Sequence, residues 1–227
     1  MGFLVFAAYV FCATPTPYPL DSAELASAAF GLGVAHPPGE ETTLLFAKLF
    51  TLLPLGSVAF KVALSQAAAG SLAAVLVYLL VLDAMATLDI VTESTGERTR
   101  VLIAAAAALA FAYAPGVIVV SNRAEVYATA TALALAALWL ALRAHAQQDA
   151  RPAFLAALLI GLGVGNHSLV AGLCGLGAVA AALPLLVRSS WGPWQGRPTL
   201  PRSGSGGQSP PTPTRSARTT SNLRRDL

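Results

Sequence analysis

The chain has 227 residues, 56% hydrophobic and only 11% charged, with a mean hydropathy of +0.66, a balance that excludes a soluble domain of this size and places it in the membrane class. The formal charge of +3 belongs to the end of the chain: residues 1–187 hold 7 Lys/Arg against 10 Asp/Glu, whereas 188–227 hold 7 Arg against Asp226 alone. A Pro/Ser/Thr/Arg-rich stretch offers charge without a fold to present it, which argues against a nucleic-acid partner.

In chain order, Met1 to Ala13 is apolar but lacks the basic start of a secretory signal, and reads as a first span whose cytoplasmic start is clipped. Cys12 and Cys174 lie within apolar runs, with no CxxC pair, and read as small core residues. Asp21-Ser22-Ala23-Glu24 reads as a capping box, with Asp21 the N-cap, Glu24 at N3, and Leu20 and Leu25 as a hydrophobic staple. The helix so opened is expected to run to about Val34, where Pro37 and Pro38 stop it. His36 precedes Pro37, so its backbone is pushed out of the helical region and its ring is presented from an extended turn. Glu40 to Pro54 reads as an amphipathic helix lying along the membrane interface, with Glu40 and Glu41 at its positive end.

Four stretches then carry no charge: Val62 to Leu82, Val101 to Asn122, Val126 to Leu142 and Pro152 to Val187. The first two are each long enough to cross once, and the third crosses by borrowing Tyr127 and Arg143 at its flanks. The last, as one helix, would reach about 54 Å across an apolar core of about 30 Å, so it must be broken. Gly163, Gly165, Asn166 and His167 mark the break, giving two short crossings joined by a polar turn or one span with a re-entrant segment. The expected fold is an all-α polytopic membrane protein with about six transmembrane helices. Residues 1–188 are expected to form the membrane domain, and 189–227 a low-complexity tail that reads as disordered or as a frameshifted stretch.

Arg98 and Arg100, Arg143 and Arg151, and Arg188 mark three cytoplasmic segments by the positive-inside rule, although Asp83, Asp89, Glu93 and Glu97 share the first of them. Parity then gathers Asp21 to Glu24, His36 to Gly39, Arg123 to Glu125, and Asn166 with His167 on the outer face. A carboxylate such as Asp21 at the outer end of a membrane helix can take a proton from an acceptor hydroxyl, or can simply cap its helix. Arg123 suits a lipid phosphate, whether of bulk membrane lipid or of a substrate, and Asn122 with Glu125 reads as another cap pair. Asn166 and His167 interrupt an apolar run, where polar groups serve function or glue helices together. A metal held by Asp21, His36 and His167 has no spacing signature behind it.

The segments DSAEL, GVAHPPG, LFTLLPLGSVAFKVAL, AEVYA and GLGVGNHS together resemble the bacterial domain-of-unknown-function 2723 family (glycosyltransferase family 117), related to the transmembrane protein 260 type of protein O-mannosyltransferase. The likeness covers about residues 5 to 185, in the same order and at compatible intervals. It implies a C-type glycosyltransferase, with interfacial helices in the first outer loop, that moves sugar from a polyprenyl-phosphate donor to an acceptor hydroxyl outside the plasma (inner) membrane without a cofactor. By that likeness Asp21 is the general base, and Glu24, His36, Arg123, Glu125, Asn166 and His167 line the donor or acceptor site. Two departures stand out: Glu40-Glu41-Thr42-Thr43 replaces an aromatic and apolar stretch, and the chain turns at about Ser189 into the tail where relatives continue through further spans. A non-catalytic remnant or subunit is the alternative, and a transporter is disfavoured because the halves share no internal repeat.

Overall fold

The computed structural model describes residues 1–37, 40–87 and 96–188, the last seven as backbone alone. The expectation of a disordered tail over 189–227 falls outside these residues, as do Asp89, Glu93, Pro38 and Gly39. Among the described residues every regular element is helical: α1 (Gly2–Phe11), α2 (Ser22–Gly31), α3 (Glu41–Thr51), α4 (Val58–Thr87), α5 (Glu97–Ala112), α6 (Pro115–Ser121), α7 (Tyr127–Gln147), α8 (Arg151–Val164) and α9 (Ser168–Arg188).

Two of these, α4 and α7, are each long and apolar enough to cross a membrane, and α5 with α6 adds a third if that bent pair is one span. The remaining apolar helices, α1, α8 and the described part of α9, are shorter than a full crossing, so the described helices support two or three spans where the sequence suggested about six.

The stretch Val101 to Asn122, read above as long enough to cross once, bends by 66° between α5 and α6. Pro115 is the cause. Its ring drives Ala114 to an extended conformation (φ −61°, ψ 133°) and it then opens α6 at the first-turn position proline favours. The break leaves carbonyls without helical partners, and the Tyr9 hydroxyl of α1 donates to Ala112 O at 2.6 Å. A backbone group freed at depth is thereby satisfied from another helix.

Small residues set the approach of the long helices. Ala69 and Ala73 of α4 share a cluster with Ala128 and Ala132 of α7, one helical turn apart on each side. Gly70 lies at the crossing of α4 with the end of α6, where an added Cβ would fall 2.8 Å from Ser121 Cβ. Charge-free does not mean apolar here: Gln66 of α4 is fully buried, accepts from Thr129 Oγ1 of α7 at 3.2 Å and donates to Ser65 Oγ at 3.2 Å.

The break in the last apolar run falls where Gly165, Asn166 and His167 leave the helical path. Close approaches of Gly163 to Ala171, Gly175 to Ile160 and Ala156 to Ala178 pair residues of nearly constant summed number, so α8 and α9 run antiparallel as a hairpin. Ala137 and Ala141 of α7 pack against its open end.

Charged side chains lie at both ends of this bundle. At one, Asp83 of α4 accepts from Trp139 Nε1 at 2.9 Å and Arg143 Nε at 3.0 Å, both of α7. The opposite end of α7 carries the residues of the candidate site.

Candidate functional site

A shared core positions the site. Leu25, Ala28 and Ala29 of α2, Ala35 after it, Leu44 and Ala47 of α3, Val62 of α4, and Ala124 and Val126 before α7 are buried together. Glu24 precedes Leu25 and His36 follows Ala35, so burying the apolar neighbour commits each polar side chain to the rim. Around Ala124 and Val126 the chain alternates in the same way, and this brings Arg123 and Glu125 to the other side of their strip.

The expected capping box is not formed. Asp21 occupies the N-cap position of α2 with helical backbone (φ −75°, ψ −10°) and makes no side-chain cap bond, leaving its carboxylate exposed. Leu20 before it sits at φ 76°, an uncommon conformation for a non-glycine residue that turns the chain into the helix. Glu24 does not reach back either. Its carboxylate accepts from His36 N at 2.7 Å and meets His36 Nδ1 at 3.1 Å.

The helix ends three residues before the expected Val34, because Leu32 adopts the left-handed conformation and Gly33 N bonds Ala28 O at 2.9 Å. That reversal returns the chain to the first turn of α2. Single donor atoms of Asp21, Glu24 and His36 there lie within 4.8 Å of one another. This is the grouping the fold brings together, rather than Asp21, His36 and His167. Donation of a hydrogen bond to the Glu24 carboxylate raises the His36 pKa above its ordinary value, and the nearby carboxylates of Asp21 and Glu40 act in the same direction.

Arg123 is engaged within the protein. Its Nη2 lies 3.2 Å from Glu125 Oε1 and its guanidinium covers the Tyr18 ring at 4.4 Å, while its buried Nε has no partner. Asn122 with Glu125 is no cap pair: Asn122 closes α6, its carbonyl accepts from Thr14 N at 2.9 Å, and the N-cap of α7 is Val126. Burial raises the Glu125 pKa, Arg123 pulls it back, and the Asp21 charge raises it further.

Glu40 is marked in the sequence only as the start of the interfacial helix and a departure from the resembled pattern. It stands one position before α3 at φ 57°, is 6% exposed, and keeps a buried Oε2 with no partner. Burial raises its pKa first; His36 opposes that, and Asp21, Glu125 and Glu24 add to it. Glu40 and Glu125 both sense Asp21, so Asp21, Glu24, His36, Glu40, Arg123 and Glu125 form one electrostatic neighbourhood.

Asn166 and His167 occupy a neighbouring layer. Asn166 is wholly buried and its amide is spent: Oδ1 accepts from Thr43 N at 3.1 Å and from Thr43 Oγ1, and Nδ2 donates to Val126 O at 3.2 Å. Thr42 adds a bond from Oγ1 to Leu162 O at 2.7 Å. The Glu-Glu-Thr-Thr segment that departs from the resembled pattern thus supplies the residues that hold the α8–α9 turn. His167 stacks beside Tyr127 at 5.4 Å, with a buried Nδ1 that has no partner.

An exposed carboxylate, a histidine–glutamate pair and a guanidinium gathered from the start of α2, the turn after it and the loop before α7 can accept a proton from a hydroxyl and hold an anion. The comparisons with known proteins bear on that chemistry. The family model described as the protein O-mannosyl-transferase TMEM260 N-terminal domain matches residues 21–190. A segment of 59 residues is 51% identical to the protein O-mannosyl-transferase TMEM260 of Mus musculus, covering 26% of this chain and 8% of that protein. No solved structure matches the chain. The matched span starts at Asp21 and runs through α2 to α9, and the chain belongs to the protein O-mannosyl-transferase TMEM260 N-terminal domain family.

Proposed function

We propose that the chain carries a C-type, inverting glycosyltransferase site, and that the end of the bundle bearing Asp21 faces the extracytoplasmic side of the plasma membrane. The sugar comes from a polyprenyl-phosphate donor and goes to an acceptor hydroxyl. The observation that carries this reading is the exposed, uncapped carboxylate of Asp21 at the first residue of the matched family span. The placement of Arg98, Arg100, Arg143 and Arg151 in helix turns at the opposite end of the bundle supports the orientation.

In the reaction, Asp21 takes the proton of the acceptor hydroxyl as that oxygen bonds to the anomeric carbon. The carbon–oxygen bond to the lipid phosphate breaks, and its electron pair leaves with the phosphate. Arg123 and protonated His36 offset the charge that develops there. Asn166 holds the α8–α9 turn against α3, and His167 stands by Tyr127.

The test is transfer from a polyprenyl-phosphate mannose donor to acceptor peptide in membranes containing the chain. Asp21→Asn is expected to lower the rate at least about a hundredfold, the lower range for a positioned acid or base, with donor binding retained. Equal rates in wild type and variant would remove Asp21 from the chemistry. Donor binding without transfer in the wild type would favour the non-catalytic subunit reading.

A further inference from the structure

The geometry points to a divalent-cation site of mixed carboxylate and imidazole ligands, formed by Asp21, Glu24 and His36. Two independent observations carry it. The first is the convergence of one donor atom each from Asp21, Glu24 and His36 within 4.8 Å. A cation that holds nitrogen and oxygen ligands at about 2.0 to 2.2 Å spaces them roughly 3 to 4.4 Å apart, so closure needs shifts of less than an ångström. The second is Glu40, outside that group of three, whose carboxylate is buried with Oε2 unpartnered and adds negative charge that a nearby cation would offset. An orphaned buried carboxylate oxygen costs free energy unless a cation or donor meets it.

Charge points the same way. Asp21, Glu24, Glu40 and Glu125 face one guanidinium and one imidazole in this neighbourhood, and Arg123 is already engaged by Glu125. A divalent cation replaces the proton shared between His36 and Glu24 and supplies the missing positive charge. The ligand set selects within the class: carboxylates alone suit Mg²⁺ or Ca²⁺, whereas an added imidazole favours the transition-series ions, with Mn²⁺ compatible with both. One oxygen of Asp21 can ligate while the other stays free for a hydroxyl proton. The consequence for catalysis, a cation beside the donor phosphate, rests on the proposed transfer reaction; the binding itself does not.

Binding is therefore measured on the full chain in detergent micelles, with Mn²⁺ alone and neither donor nor acceptor. Electron paramagnetic resonance is expected to show one bound Mn²⁺ per chain, with a nitrogen modulation in the spin echo from the His36 ring. His36→Gln is expected to abolish that modulation, and Glu40→Gln to weaken binding at least tenfold, whereas Glu97→Gln at the other end of the bundle leaves it unchanged. No stoichiometric binding up to millimolar Mn²⁺, or bound Mn²⁺ without nitrogen coupling in the wild type, overturns the site. The wild-type spectrum decides even if a variant fails to fold. Mn²⁺ bound in a chain that transfers no sugar would sink the proposed function and leave the site standing; transfer without Mn²⁺ binding would do the reverse.

Discussion

Glu125 is held between two opposing influences, and their balance can be read from its pH dependence. Burial raises its pKa above the ordinary 4.5, Arg123 at 3.2 Å lowers it, and the net direction is upward. The folded state therefore holds that proton more tightly than the unfolded state does. Stability contributed at this position is greatest below 4.5 and is lost as pH rises toward the raised folded value, after which it stays level. Glu125→Gln removes this titration but also orphans Arg123, an offset that does not vary with pH. The melting temperature of wild type minus variant, followed by circular dichroism in detergent, is expected to fall with rising pH over that window. A difference that grows with pH would mean that the Arg123 pair outweighs burial. Arg123 and Glu125 were visible in the sequence as charges beside a span. Their pairing was not, because the cap rule assigned Glu125 to Asn122, and the alternation of buried Ala124 and Val126 appears only once α2 and α3 supply the core.

At the scale of helices, the apolar pattern was legible and the interruptions only partly so. The break at Gly163 to His167 could be placed because a 36-residue charge-free run is too long for one crossing. The bend at Pro115 was missed because Val101 to Asn122 has the right length for a single span, so length raised no conflict. Gln66 escaped for a related reason: a count of charges does not register a buried amide that finds Ser65 and Thr129. Packing makes the bend part of the fold, since Gly70 leaves the room that Ser121, at the end of α6, occupies. Gly70→Ala gains helix propensity in α4 and would be mildly stabilising on an open surface. Here the added methyl has to displace Ser121, and the net expectation is a loss of about 1 to 3 kcal/mol, the usual range for overpacking. Chemical denaturation in mixed micelles measures it. A variant as stable as wild type would mean that α6 is free to move away from α4.

Across the molecule, segments remote in sequence are tied together at the end that bears the site, and Asn166 is the knot. Its amide joins Thr43, at the start of α3, to Val126, at the start of α7, from the turn between α8 and α9. The sequence showed that Asn166 and the loop before Tyr127 share a face; which groups they touch depended on α3 lying across them, and Thr42 and Thr43 carried no signal of that kind. Asn166→Ala leaves Thr43 N and Thr43 Oγ1 without their acceptor where both residues are buried, while Val126 O keeps its helical bond from Ala130 N, and water cannot easily replace the amide. Each orphan costs about 1 to 3 kcal/mol, so the variant is expected to lose several kcal/mol, more than a surface asparagine could. The loss is also expected to be local. α4 and α7 keep their alanine-lined contact through Ala69, Ala73, Ala128 and Ala132, whereas α3 loses its anchor to the hairpin. Limited proteolysis should therefore cut within Glu41–Thr51 at temperatures where most helical signal persists. Because Glu40 immediately precedes α3, the same variant is expected to weaken Mn²⁺ binding without touching a ligand. Unchanged cleavage together with unchanged binding would show that α3 is held by its apolar contacts with α2 and α4 alone.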